Sequence, residues 1–227
     1  MLARVSPGDP ATLYWSMAEP AGLVLGFSQK DEILNQAAVA KYQLPIYYRR
    51  AGGTAVLVGP HLLSLDVVLP AGHPLILPDV VESYRWFGEA WVETLLQLGV
   101  EARIVPVQEA RAQQLLLKQA DTRERESLLY RACYGTLSPY EVVAGQRKVV
   151  GLDMIRRGVG TLLQAGLLLY WETDILAQLL GHTLEEQAIL REGLLERAIG
   201  IDILAGRVVS VEGIIAEFQQ VILEMST

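Results

Sequence analysis

Residues 132–157 read ACYGTLSPYEVVAGQRKVVGLDMIRR, and this stretch decides the fold. Two β-rich runs, Tyr140 to Val143 and Lys148 to Met154, are joined by Ala144-Gly145-Gln146. A third, Thr161 to Tyr170, follows Gly158 to Gly160. Turns this short cannot hold a crossover helix, so the three strands are expected to form an antiparallel meander. The same stretch carries the chain's single cysteine, Cys133, and a lysine fifteen residues on, Lys148.

Toward the N-terminus, Val80, Tyr84, Phe87, Trp91, Leu95 and Leu98 recur at helical spacing. Asp79 and Glu82 have capping-box spacing and Gly99 can close the end, predicting a helix over about 78–98 that lies on a sheet. Glu101 to Val107 reads as a strand. Gln108 to Arg131 is helix-prone, but the charged run Asp121 to Glu126 weakens any single apolar stripe. Nearer the start, Leu13 to Trp15 and Leu23 to Phe27 flank Glu19-Pro20-Ala21-Gly22, which suggests a hairpin. Asp31 is placed to cap a helix presenting Leu34, Ala37 and Ala38, and that helix should end before Pro45. Ile46 to Arg49 is then a strand entering Gly52 and Gly53, and Ala55 to Val58 and Leu62 to Leu69 are strands leaving them.

Beyond the meander, three helices are expected. Thr173 to Leu180 is short, Thr183 with Glu186 repeats the capping-box spacing, and Ser210 opens a last helix with Ile214, Phe218, Val221 and Met225 on one face. Strands gathered in the middle and helices at the end give an α+β class, a mixed, largely antiparallel sheet flanked by helices, in one domain over 1–227.

A chain of 227 residues with net charge −7 does not offer the basic excess that nucleic acid or an anionic membrane surface usually meets. No run of eighteen apolar residues and no secretory leader pattern is seen, and one cysteine cannot form an internal disulfide. A cytoplasmic protein is expected. Arg49, Arg50, Arg147, Lys148, Arg156 and Arg157 form two basic clusters suited to an acidic partner or an anionic ligand, or are simply solvated. His61, His73 and His182 lack metal-ligand spacing, so no metal site is expected.

The segment Tyr48 to Val56, YRRAGGTAV, resembles the arginine and double-glycine loop of the lipoate-protein ligase, octanoyltransferase and biotin ligase superfamily. Physically, Gly52 and Gly53 allow a tight bend and close backbone approach, and Arg49 beside them can hold an anion; Thr54 joins them as a candidate contact. ACYGTLSPYEVVAGQRKVVG in turn resembles the C-F-x-x-P-S-x-Y-E segment, followed by G-R-K-[VIL]-x-G, of the cysteine-dependent octanoyltransferases. Cys133 falls on the nucleophile of that family and Lys148 on its catalytic lysine.

The resemblance implies the biotin/lipoate ligase catalytic fold and transfer of an octanoyl or lipoyl group. The donor would be an acyl carrier protein or a lipoyl-domain protein, and the acceptor a lysine of a lipoyl-domain protein, through a Cys133 thioester. Lys148 would act as a neutral base or as a cation that lowers the thiol pKa. Amides near Gly151 or Gly52-Gly53 would meet the oxyanion, and Val149, Val150 and the glycine-loop strands would line an apolar slot. No cofactor is needed on this route; ATP with Mg²⁺ enters only under an alternative, an ATP-dependent lipoate-protein ligase or ligase subunit. A noncatalytic acyl-binding relative is a third reading.

This sequence departs from the family pattern in three places. Val58-Gly59 replaces a His-Asp pair, and Leu152-Asp153-Met154 replaces a small and polar run after Gly151. The family's leading strand and helix are not matched, which would leave a sheet face exposed, covered by another element, or covered by a second subunit. Asp153 can pair with Lys148 or lie on the opposite strand face.

Overall fold

The computed structural model describes residues 2–50 and 52–225. In chain order the elements are β1 (Thr12–Ser16), β2 (Gly22–Leu25), α1 (Gln36–Tyr42), β3 (Ile46–Tyr48), β4 (Val56–Val58) and β5 (Leu62–Pro70). Next come α2 (Arg85–Gln97), β6 (Arg103–Ile104), α3 (Val107–Leu116), α4 (Arg123–Leu129), β7 (Val142–Ala144), β8 (Arg147–Arg157) and β9 (Gly160–Leu168). Four helices close the chain: α5 (Asp174–Leu180), α6 (Leu184–Arg197), α7 (Ile201–Ala205) and α8 (Val211–Met225).

The meander forms as its short turns require. β7, β8 and β9 pair antiparallel inside a six-stranded sheet of order β1-β5-β9-β8-β7-β6. One face of that sheet carries Leu63, Leu65 and Val67 of β5 with Leu163, Ala165 and Leu167 of β9. Packed on them are Phe87, Trp91 and Leu95 of α2 and Ile214, Phe218 and Val221 of α8. The Trp91 and Phe218 rings lie 4.6 Å apart, so α2 and α8 meet through aromatic side chains over one sheet face. Met225, expected on the same stripe, is instead half exposed at the end of α8.

The predicted hairpin between the first two strands does not form. β1 is the outer strand of the large sheet, paired with β5, whereas β2 belongs to a separate three-stranded sheet of order β3-β2-β4. The link between them therefore crosses from one sheet to the other. β2 runs parallel to β3 and antiparallel to β4, so the strands flanking the glycine loop are held apart by β2 instead of pairing with each other.

The small sheet has its own core of Leu23, Leu25 and Leu57 against α1, α4, α5 and α6. Helix α1 is capped by Asn35, whose side chain accepts from the Ala37 and Ala38 amides, and not by Asp31, which opens a separate 3-10 turn. The long helix begins at Arg85, later than expected. Asp79 does accept from the Val81 and Glu82 amides, but the residues after it wind as a short 3-10 turn, Glu82–Tyr84, before α2. The Glu101 to Val107 strand shortens to two residues, and the helix-prone span splits into α3 and α4 over residues 117–122, so that most of the charged run begins α4.

Candidate active site

The exit of the glycine loop and the cysteine turn are joined backbone to backbone. The Ala55 amide donates to the Arg131 carbonyl at 3.0 Å, and the Cys133 amide donates to the Ala55 carbonyl at 2.8 Å. The exit of the glycine loop is thereby fixed to the 3-10 turn Cys133–Gly135. Gln29 ties the same region together, accepting from the Gly26 amide and donating to the Arg131 carbonyl.

A Cβ at Gly26 would lie 1.8 Å from the Gly53 carbonyl oxygen, so only a bare backbone lets β2 and the glycine loop approach this closely. Gly26→Ala is expected to cost about 1–3 kcal/mol, the range for forced overpacking. It should be read as a lower urea midpoint at unchanged m.

Arg49 leaves the end of β3 and reaches into the site. Its Nη1 donates to Asp153 Oδ2 at 2.8 Å and its Nη2 to the Thr54 carbonyl at 3.0 Å. Gly53 makes this seat possible. Its φ is +81°, and a Cβ there would stand 2.3 Å from Arg49 Nη2. Gly52 is exposed, and a Cβ there would meet nothing within 4 Å.

Lys148 is 1% exposed. Its Nζ donates to Glu141 Oε2 at 2.7 Å and to the Cys133 carbonyl at 2.7 Å, with the Tyr134 ring centroid 5.4 Å away. Asp153 does not pair with Lys148; its partner is Arg49, which neither alternative named. A bulge in β8, where Val142 pairs with Val150 but Val143 with Lys148, interrupts strand alternation between Lys148 and Asp153, and both side chains line the same chamber.

Glu141 is 2% exposed and also accepts from the Ser138 and Leu152 amides. Burial pushes its carboxyl up from the ordinary range, while Lys148 and the two amides pull it back. Neither Glu141 nor Tyr134 is among the residues that the motifs mark as candidates. The signal for Glu141 was there: a carboxylate between apolar strand residues needs a buried counter-charge, and Lys148 is the cation across the hairpin.

Cys133 stands where two cavities meet. A polar chamber of about 310 Å³ is lined by Gly53, Thr54, Tyr84, Ser138, Glu141 and Lys148. A narrower slot of about 190 Å³ runs between the small sheet and the large one, past Val24, Val56, Val58, Leu62, Gly151 and Gly166. Cys133, Arg49, Leu152 and Asp153 line both. The slot contradicts one expectation: Val149 and Val150 are fully buried in the core of the large sheet and do not line it. Gly151 and Gly166, opposite each other on β8 and β9, provide its floor instead. Tyr134 roofs that floor, donating to the Gly166 carbonyl at 2.6 Å. Burial holds its phenol well above the usual range, so it stays protonated as a donor.

The docking role expected of the basic clusters is not available to three of their members. Arg49 and Lys148 are committed inside the site, and Arg156 donates to the Leu77 and Pro78 carbonyls and to Ser83. Among the described residues no three His, Cys, Asp or Glu side chains gather as a metal site, and no helix is long and apolar enough to cross a membrane.

A buried lysine anchored on a cysteine turn thus lies beside an arginine and double-glycine loop, at the edge of both cavities. The profile of the lipoyl protein ligase A/B catalytic domain matches residues 1–223, and the chain belongs to that family. It is similar to the octanoyltransferase LipM of Lysinibacillus sphaericus, 31% identical over 205 residues covering 88% of this chain and 70% of that one. With the LipM of Exiguobacterium sibiricum it is 30% identical over 219 residues, 93% and 74% of the two chains. In structure it resembles the bi-partite lipoate protein ligase of Thermoplasma acidophilum, described with its E2 lipoyl domain. The TM-score is 0.74 at 18% identity, covering 98% of this chain and 74% of that one. A lipoate-protein ligase A bound with ATP superposes with a TM-score of 0.70 at 19% identity, covering 98% and 75%.

Proposed function

We propose that this chain is an octanoyltransferase working through a Cys133 thioester. The observation that carries the reading is the position of Cys133 at the junction of the apolar slot and the polar chamber. The slot suits an alkyl chain, and the chamber admits a thioester arm and then an amine. The Cys133 sulfur attacks the acyl carbonyl of the carrier thioester. The new carbon–sulfur bond forms as the carrier's bond breaks, and the carrier thiol leaves with the proton that Cys133 gives up. A lysine amine of the acceptor then attacks the acyl-enzyme. A carbon–nitrogen bond forms, the bond to Cys133 breaks, and the amine's proton returns to the thiol.

In this scheme Lys148 is a cation paired with Glu141. It fixes the Cys133 carbonyl, and thus the turn presenting the sulfur, and supplies positive charge beside a developing thiolate. The proposal includes an acyl carrier protein as donor and a lipoyl-domain protein as acceptor, in the cytoplasm. It also includes a second subunit against β1, the outer strand of the large sheet, where Tyr14 is half exposed.

Intact-mass spectrometry after incubation with octanoyl-acyl carrier protein tests the reading. An octanoyl adduct on Cys133 that hydroxylamine removes is expected. Absence of an adduct, with lipoate-dependent pyrophosphate release from ATP, would establish a ligase instead.

A further inference from the structure

The two cavities contain two cationic side chains among the described residues that line them, and each is already matched. Lys148 faces Glu141, and Arg49 faces Asp153. The second pair is closely built. Its side chains are 18% and 19% exposed, Gly53 leaves the space the guanidinium occupies, and the Thr54 carbonyl takes its other terminal nitrogen. Asp153 is satisfied in turn, since its Oδ1 accepts from the Met154 amide at 2.8 Å. Its cross-strand neighbour Gln164 is occupied with Asp66, its amide nitrogen donating to Asp66 Oδ1 at 2.7 Å.

An acyl group can arrive at Cys133 in two electrical forms. A thioester is neutral at its carbonyl, whereas a free carboxylate or an acyl phosphate brings a negative charge that must shed water to enter. A free guanidinium on the shared wall would offset that desolvation, but one already compensated by a carboxylate offsets little of it. We infer that Asp153 is a specificity residue: by neutralising Arg49 on the wall beside Cys133, it makes the site select neutral acyl thioesters over the corresponding free acids and acyl phosphates. It acts through Arg49 and is a positioning residue, not a catalytic one. The inference rests on the acyl-transfer reading for its substrate class, but its test does not need transfer to occur.

The probe is octanoate, titrated calorimetrically into the whole protein. Asp153→Asn keeps the shape and leaves Arg49 uncompensated, so octanoate should bind about tenfold or more tighter than to the wild type, the order expected of one freed charge in a partly buried site. The double variant Arg49→Gln/Asp153→Asn should return to the weak wild-type affinity. Loss of packing alone would not tighten binding, so a gain that disappears in the double variant supports the inference. Equal affinity in wild type and Asp153→Asn, or a gain that survives removal of Arg49, overturns it. If Asp153→Asn does not fold, Arg49→Gln decides: octanoate affinity within about twofold of wild type supports a compensated arginine, and a loss of about tenfold shows Arg49 to be an anion seat and overturns the inference. Absence of an octanoyl adduct on Cys133 together with the calorimetric gain would remove the transferase reading while leaving the charge inference standing.

Discussion

Cys133→Ser abolishes the octanoyl adduct and lowers transfer to the acceptor by roughly 10³-fold or more, the scale of losing a covalent nucleophile. The expectation follows from what surrounds the residue. A serine hydroxyl holds its proton far more tightly than a thiol, so it reacts only with a base aimed at it. Lys148 spends two of its N–H groups on Glu141 and on the Cys133 carbonyl. That arrangement gives a cationic anchor, not a free amine base for an alcohol. The substitution removes little else. Cys133 is only partly buried, and its amide bond to Ala55 belongs to the backbone and survives. Serine should therefore leave the urea midpoint near wild type while transfer collapses. Transfer within a few-fold of wild type in a folded Cys133→Ser would remove the thioester intermediate.

What could be read in advance divides by the range of the interaction involved. The meander, α2 and α8 were legible because periodicity and turn residues report local geometry, and each of these elements buries a single apolar face. Cys133, Lys148 and Arg49 were legible because motif resemblance placed them. The pairing of β2 was not, because nothing in Leu23 to Phe27 says which of two sheets it will join; that is set by contacts with β3 and β4 far along the chain. The choice of Glu141 as the partner of Lys148 depends on Tyr140, whose φ of +64° is uncommon for a residue with a side chain. That turn, held by Val105 bonding on both sides of it, brings Glu141 inward while the Tyr140 hydroxyl goes out to Glu82. Val149 and Val150 were placed in the slot on hydrophobicity alone. A β-bulge opposite Val142 and Val143 sends them to the core, and bulges of this kind leave no reliable mark in sequence.

Lys148→Met should be the most damaging single change to the fold of the site, and its cost should depend on pH. Methionine has nearly the same length as lysine and keeps the contact with the Tyr134 ring, so packing changes little. What it removes is the counter-charge of a carboxylate that is 2% exposed. Breaking a buried pair from one side costs about 3–5 kcal/mol, because the remaining charge has lost its partner but not its desolvation.

Glu141 has an escape, which is to bind a proton. Burial already pushes its carboxyl upward, and removal of Lys148 removes the strongest pull in the other direction. In the variant its folded pKa is therefore raised well above the unfolded value. A carboxyl of that kind is tolerated fully below its unfolded pKa, and stability is lost as pH rises through the folded pKa. The deficit of Lys148→Met against wild type should accordingly be larger at pH 8 than at pH 5. The double variant Lys148→Met/Glu141→Gln, which buries no charge, should recover more than half of the deficit at pH 8 and flatten its pH dependence. Transfer should not recover with it, since the anchor on the Cys133 carbonyl and the positive charge beside the sulfur are both gone. Urea unfolding of the three proteins at the two pH values measures the first effect, and acyl transfer by the refolded double variant measures the second. A Lys148→Met protein within about 1 kcal/mol of wild type at both pH values would mean that Glu141 finds another partner, and the buried pair would lose its role as the site's keystone.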